Sequence, residues 1–162
     1  MDEKRGSALY AFRRFGDTAL RAAYLCTGDY AEAEDIAQEV FFTLHRNPQF
    51  FESDEHLKAW VLRCVMNRCR NYHKSWIRRK RVDFDTIPEE LLADGGMEAD
   101  RELHHAIAAL PKSYAAVIYL HCIEGYTIRE IAQMLDKNEN TVGSLLRRAK
   151  QKLRLEAADD AP

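Results

Sequence analysis

The sequence predicts an all-α protein: two small helical domains joined by an acidic linker. Three observations carry that reading. Of 162 residues only 7 are Gly and 4 Pro, while 46% are hydrophobic and 31% charged, a balance that suits soluble helices better than strands or a disordered tail. Apolar residues recur at helical spacing on both sides of the chain's midpoint. Between Val82 and Asp100 that periodicity lapses, the charge turns acidic, and Pro88 and Gly95-Gly96 interrupt any helix. The division is therefore a first domain over 1–81, a linker over 82–100, a second domain over 101–157, and a small acidic, frayed tail over 158–162.

Each element follows from local signals. The first helix runs from about Ser7 to Cys26, with Leu9, Phe12, Ala19, Leu20, Ala23 and Tyr24 as its expected apolar side and Thr27-Gly28-Asp29 as its stop. A second begins near Tyr30 and ends before Asn47-Pro48. Pro48 to Asp54 reads as a loop, in which Ser53 or Asp54 can cap a long third helix from about Glu55 to Arg79. After the linker, helical pattern resumes from Arg101 to Leu110, is cut by Pro111, and resumes from Lys112 to Glu124. Gly125-Tyr126-Thr127 then leads into two final helices, Ile128 to Leu135 and Glu139 to about Leu155.

Charge is segregated more than the net value of −2 suggests. Arg63 to Arg81 holds eight Lys or Arg and no acid, whereas Asp83 to Glu102 holds eight acids and one base, Arg101. Such a block is a local anion-binding surface beside an acidic segment. The four cysteines, Cys26, Cys64, Cys69 and Cys122, form no CxxC pair and follow no signal-peptide pattern, which predicts a reduced, cytoplasmic protein. Cys64 and Cys69 stand five apart on a helix and so point to different sides. No shared metal is expected, and the thiols are read as small buried hydrophobes. No apolar run approaches the ~20 residues of a membrane span.

Three constellations carry the functional reading. In the last two helices, Ala132 is the small residue at a helix crossing, Asp136-Lys137-Asn138 the tight turn, and Val142 the apolar lock, with Ile128, Ile131, Leu135, Leu146 and Leu153 as further core. At about 100° per residue, Asn140, Gly143, Ser144, Arg147, Arg148 and Gln151 face away from that core, offering amide, hydroxyl and guanidinium groups to base edges and phosphates. The bland alternative is a helical hairpin with a solvated basic face.

On the third helix, Val61, Val65, Cys69, Tyr72 and Trp76 form an apolar face with Leu62 at its edge. Nearly opposite lie Trp60, Arg63, Asn67, Arg70, Asn71, Lys74 and Arg78. Cations neutralise phosphate, amides hydrogen-bond an exposed base, and an indole stacks on an unpaired one for roughly 1–3 kcal/mol, so the set suits opened DNA better than a closed duplex. Trp60 is read either as this stacking residue or as a packing residue at the helix start. On the second helix, Ala33, Ile36, Ala37, Val40 and Leu44 face inward, while Asp35, Gln38, Glu39 and Phe42 face out. An aromatic ring among carboxylates either docks on a basic partner protein or packs on Phe50-Phe51.

These segments resemble, in order, those of the extracytoplasmic-function group of the sigma-70 family, over nearly the whole chain. AEAEDIAQEVF resembles that family's core-polymerase-binding helix. HLKAWVLRCVMNRCRNY and the Arg/Lys run after it resemble its promoter-melting, minus-ten reading helix. LPKSYAAVIYLHCIEGYTIREIAQMLDKNENTVGSLLRRAKQKL resembles its minus-35 reading domain.

The resemblance implies a bacterial initiation factor that brings core RNA polymerase to specific promoters, with 1–81 as region 2 and 101–157 as region 4. Asp35, Gln38, Glu39 and Phe42 would meet the clamp helices of the polymerase's largest subunit. Asn71, with the loop before Trp60, would help capture a flipped minus-ten base, and Trp60, Arg63, Asn67, Arg70, Lys74 and Arg78 would support the separated strand. Asn140, Thr141, Ser144, Arg147 and Arg148 would face the minus-35 duplex. The acidic linker would thread the polymerase cleft, and an anti-sigma protein would be a further partner. Two positions depart from the family pattern: Asp136 replaces the usual Gly of the turn, which a left-handed Asp tolerates, and Gly143 and Leu145 stand where a basic pair is common.

The competing reading is an autonomous helix-turn-helix regulator whose N-terminal half senses a ligand or dimerises, binding a palindromic duplex without polymerase. An enzyme fits poorly. His45, His56, His73, His104, His105 and His121 have no HExxH or similar ligand spacing, and no Gly-rich phosphate loop or G-x-S-x-G elbow occurs. The adjacent His104-His105 are read as solvated or packing residues. No catalytic residue, metal, cofactor or small-molecule substrate is expected.

Overall fold

A computed structural model describes the backbone of residues 5–76 and 98–159, with side chains described for 5–72 and 102–154. Among the described residues all regular structure is helical: α1 (Ala8–Thr27), α2 (Tyr30–Arg46), α3 (Asp54–Trp76), α4 (Glu98–Ala108), α5 (Lys112–Ile118) continued by a π-helical turn (Tyr119–Ile123), α6 (Ile128–Leu135) and α7 (Glu139–Asp159). The chain divides into two compact units at residues 84/85. The expected linker falls largely outside the described residues, although its last three positions, 98–100, already belong to α4.

The first unit packs α1, α2 and α3 against one another. Its helix ends follow elementary capping. The Ser7 side chain accepts from the Tyr10 N–H, and Gly28, at φ 71°, ends α1 by donating its own N–H to the Tyr24 carbonyl. Asp29 then caps α2 through the Glu32 N–H, and Ser53 caps α3 through the His56 N–H.

On α1, Ala19, Ala23 and Tyr24 are buried as expected, but Leu9 and Phe12 are not. At about 100° per residue, Ala11, Phe15, Ala19, Ala22 and Cys26 form one buried stripe, and Leu9 lies about 80° beyond its edge, at 59% exposure. Phe12 is 55% exposed, with only its ring edge against Phe41, 5.5 Å between centroids. Alanines rather than large side chains fill this seam: Ala33 and Ala37 of α2 are buried as well, which lets helix backbones approach closely. Larger residues, Val40, Leu44, Leu57, Val61, Leu62 and Val65, complete the core; truncating one of the leucines to Ala costs about 2–5 kcal/mol.

In the second unit α5 packs on α4 and α7, and α6 packs on α7. Ile107, Leu110, Val117, Ile118, Leu120, Ile131, Val142 and Ala149 form its core. Pro111 starts α5 and the π turn closes it, so the single helix expected from Lys112 to Glu124 is an α-helix with a widened last turn.

Of the cysteines, Cys26 and Cys69 are buried as expected, whereas Cys64 is half-buried on the flank of α3 and Cys122 is exposed on the π turn. Burial pushes the Cys64 thiol up to about 11. The Cys26 side chain beside it and then burial hold Cys69 well above the usual thiol range. No helix among the described residues is long and apolar enough to cross a membrane.

Candidate nucleic-acid and protein-docking surfaces

The outward face of α2 is set by its buried one. With Ala33, Ile36, Ala37, Val40 and Leu44 all buried, Asp35 and Gln38 are exposed, and Phe42 stands 55% exposed. The loop rings go elsewhere: Phe51 is buried and meets His56 and Trp60 edge-on, with centroids 5.3 and 5.7 Å away, while Phe50 is 66% exposed. Phe42 is therefore a large apolar group presented to solvent beside carboxylates.

Glu39 is less available than its sequence position suggests. Arg46 approaches its Oε2 at 3.3 Å, and Arg68, reaching across from α3, lies 4.0 Å from the same atom. The Arg68 guanidinium also donates to the Thr43 hydroxyl at 2.8 Å. Between α2 and α3 this leaves a cleft of about 330 Å³ whose lining includes Asp35, Glu39, Arg68 and Asn71.

On α3, Arg63, Arg70 and Asn71 are exposed and Asn67 is half-buried, on the side opposite the core. Arg70 reaches back to the Asn67 side-chain oxygen at 3.5 Å, so the two sit as neighbours one turn apart. Trp60 is half-buried: one part of its ring packs on Phe51 and the remainder is open. Lys74 lies on α3 with its side chain outside the described residues, as is that of Trp76; Arg78 lies outside them altogether.

The start of α3 is pinned by a cluster that sequence patterns do not reveal. Asp54 accepts from the Tyr10 hydroxyl at 2.8 Å and from Arg5 at 3.2 Å, and Arg14 lies 3.5 Å away. Arg5 also donates to the Glu52 carbonyl at 3.1 Å, fixing the loop ahead of Trp60. The Tyr10 hydrogen bond, followed by Arg5, holds the Asp54 carboxyl below its ordinary 3.8, and the same bond holds the Tyr10 phenol above 10.0.

In the second unit α6 and α7 form a helix-turn-helix. Thr127 and Glu130 make a reciprocal capping box at the start of α6. Asp136 adopts the left-handed conformation that the turn requires, at φ 54°. The Asn138 side chain caps α7 by accepting from the Thr141 N–H at 2.7 Å. Ala132, Val142, Leu146 and Ala149 are buried, whereas Ile128, Leu135, Leu145 and Leu153 are half-buried at the border. Asn140, Thr141, Arg147, Arg148 and Gln151 are exposed along α7, with Gly143 and Ser144 half-buried on the same side. A β-carbon added at Gly143 would meet nothing within 4 Å. Polar and cationic groups on one outward helix face, with the preceding helix braced behind, can follow a DNA groove.

His104 is buried and His105 exposed, in keeping with packing and solvated roles. Among the described residues no cluster of three or more His, Cys, Asp or Glu could hold a metal ion.

Two family models match this chain: Sigma-70 region 2 over residues 11–81, and Sigma-70, region 4 over residues 100–153. The chain is 30% identical over 155 residues to the ECF RNA polymerase sigma factor SigE of Mycolicibacterium smegmatis, an alignment covering 88% of this chain and 58% of that protein. It is 26% identical over 164 residues to the ECF RNA polymerase sigma factor SigW of Bacillus subtilis, covering 90% and 86% respectively. Among solved structures it is similar in fold to the sigma factor RpoE of Bartonella quintana, crystallised with the anti-sigma factor NepR, with a TM-score of 0.68 at 19% identity over 92% of this chain and 97% of that one. CnrH, solved with the cytosolic domain of CnrY, gives a TM-score of 0.62 at 21% identity over 98% and 94%.

Proposed function

The chain belongs to the sigma-70 family, among the extracytoplasmic-function sigma factors, and from that premise we propose that it binds core RNA polymerase and directs it to specific promoters. It is a transcription initiation factor and not an enzyme. The observation that carries the reading is the pairing of α2 and α3 in one packed unit, one helix presenting an acidic and aromatic surface and the other a cationic, amide-bearing one. A basic protein and a nucleic acid can thus engage the same rigid body on different helices.

Asp35, Gln38, Glu39 and Phe42 dock on the clamp helices of the polymerase's largest subunit. Trp60, Arg63, Asn67, Arg70, Asn71, Lys74 and Arg78 serve the melted minus-ten element: cations on phosphates, amides on an extruded base, and the open part of the Trp60 ring as a stacking edge. Asn140, Thr141, Ser144, Arg147 and Arg148 face the minus-35 duplex. Residues 82–100 join the two functions through the polymerase cleft. The site of action is the cytoplasm, where polymerase and DNA are, and a protein antagonist of the anti-sigma kind is a further partner, as in the similar RpoE–NepR structure.

Run-off transcription with cognate core polymerase on genomic DNA tests this directly. Start sites sharing one minus-ten and one minus-35 element, absent with core alone, are the expected result. A free protein that footprints a symmetric operator at nanomolar affinity, without polymerase, overturns the reading in favour of an autonomous regulator.

A further inference from the structure

We infer that Arg68, although it belongs to the basic run of the DNA-reading helix, is a positioning residue of the polymerase-docking face and not a phosphate contact. The inference rests on the docking role proposed above for Asp35, Gln38, Glu39 and Phe42.

The helix itself separates Arg68 from the cationic row. At about 100° per residue, Arg63, Asn67, Arg70, Asn71 and Trp60 fall within an arc of about 100°, and Arg68 lies about 60° beyond its edge, toward α2. Its partners are on that helix. One guanidinium nitrogen donates to the Thr43 hydroxyl at 2.8 Å and stands 4.0 Å from the Glu39 carboxylate. The Thr43 hydroxyl in turn donates to the Glu39 carbonyl at 2.8 Å. Arg68 thereby grips both ends of Glu39, its backbone through Thr43 and its carboxylate by charge.

The two arginines on Glu39 are not equivalent. Arg46, on the same helix, is 59% exposed, whereas Arg68 is 36% exposed and anchored by its bond to Thr43. Arg68 is the fixed support and Arg46 the looser one. A glutamate held in one orientation before its partner arrives loses less side-chain freedom on docking, which raises affinity without a new contact. A guanidinium committed to Thr43 and paired with a carboxylate is, for the same reason, poorly placed to neutralise a phosphate.

The test uses the full chain with cognate core polymerase and reads two quantities: polymerase affinity, by fluorescence competition, and the salt slope of promoter binding by the holoenzyme. Arg68→Met is expected to weaken polymerase binding about two- to fivefold, the worth of a part-exposed ion pair, and to leave the salt slope unchanged. Arg63→Met is expected to do the reverse, lowering the slope by somewhat under one unit. Thr43→Val, which alters no charge, reproduces part of the Arg68→Met loss and serves as the test if that variant does not fold. In a Glu39→Gln background Arg68→Met costs less than it does alone, because it acts through that carboxylate. Full polymerase affinity in Arg68→Met, additivity with Glu39→Gln, or a slope reduced as in Arg63→Met overturns the inference. Unaltered polymerase binding by Asp35→Lys instead overturns the docking role on which it rests.

Discussion

Gly143 allows the recognition helix to be tested for stability and for DNA contact with a single methyl group. It is the fifth residue of the 21-residue α7, and glycine in a helix interior costs about 1 kcal/mol relative to alanine. The usual offset is a clash of the new β-carbon, and here nothing lies within 4 Å of it. Nor does its backbone need glycine, since the positive-φ positions among the described residues are Gly28, Gly125 and Asp136. Gly143→Ala is therefore expected to stabilise the second unit by about 0.4–1 kcal/mol, chiefly by restricting the unfolded chain. For a unit this small, each kcal/mol raises the melting temperature by about 4–8 °C.

The two units can be read separately, because both tryptophans, Trp60 and Trp76, lie in the first. Tryptophan fluorescence melts should be unchanged in Gly143→Ala, while the far-ultraviolet circular dichroism melt gains a transition shifted upward by that amount. A lower melting temperature would refute the open geometry around Gly143, and a shift in the fluorescence melt would refute the assignment of the gain to the second unit alone. Upstream promoter binding measured on the same variant separates the two roles. A stabilised protein with weakened upstream binding identifies Gly143 as a point of close approach to DNA, and unaltered binding places the groove contact elsewhere on α7.

Four further outcomes are expected. Asp54 has a lowered folded pKa, so its stabilising contribution is complete above the unfolded carboxylate range and is lost as pH falls through the folded value. The stability difference between wild type and Asp54→Asn, from urea midpoints, should shrink below about pH 4, and Tyr10→Phe should remove the largest part of that pH dependence. Thiol labelling at mildly alkaline pH should modify exposed Cys122 first and Cys64 slowly, with Cys26 and Cys69 reacting only on unfolding; rapid labelling of Cys69 would contradict its burial. Arg147→Ala or Arg148→Ala should weaken upstream promoter binding by roughly 1–3 kcal/mol while leaving the melting temperature within error, measured by holoenzyme footprinting. Asp35→Lys should abolish polymerase association in a pull-down without changing the circular dichroism spectrum of the free chain.

Most of this architecture was legible in local signals. Ser7, Asp29, Ser53, Thr127 and the Asp136 turn declare their helix boundaries through short-range hydrogen bonds, and the inward face of α2 follows from periodicity alone. On α1 periodicity placed Ala19, Ala23 and Tyr24 correctly in the core but erred at the large residues Leu9 and Phe12, which it favoured over Ala11 and Ala22. Side-chain size predicts burial only when the neighbouring helix leaves room, and here α2 brings its own alanines to the seam. The Asp54 cluster was also invisible, because Arg5, Tyr10 and Arg14 meet a carboxylate 40 or more residues away only after α1 has packed on α3.

The same limit applies to charge, with a functional consequence. The basic run from Arg63 to Arg81 reads in one dimension as a uniform DNA-binding stretch, yet helical geometry divides it, and Arg68 turns to the acidic helix. Glu39, in one dimension a free member of the docking face, is already engaged by Arg46 and Arg68. Reversing its charge would set a lysine between two arginines, so lost polymerase binding in Glu39→Lys would mix a missing docking contact with like-charge repulsion inside the unit. Asp35, exposed on the same face, is the sounder probe of docking, and Glu39→Gln, which removes the charge without opposing it, is the sounder partner for Arg68. On the proposed roles, the contact of α2 with α3 sets apart the charges that hold the two surfaces together, and variants at that contact, Arg68→Met and Glu39→Gln, separate them from outward-facing ones such as Arg63→Met.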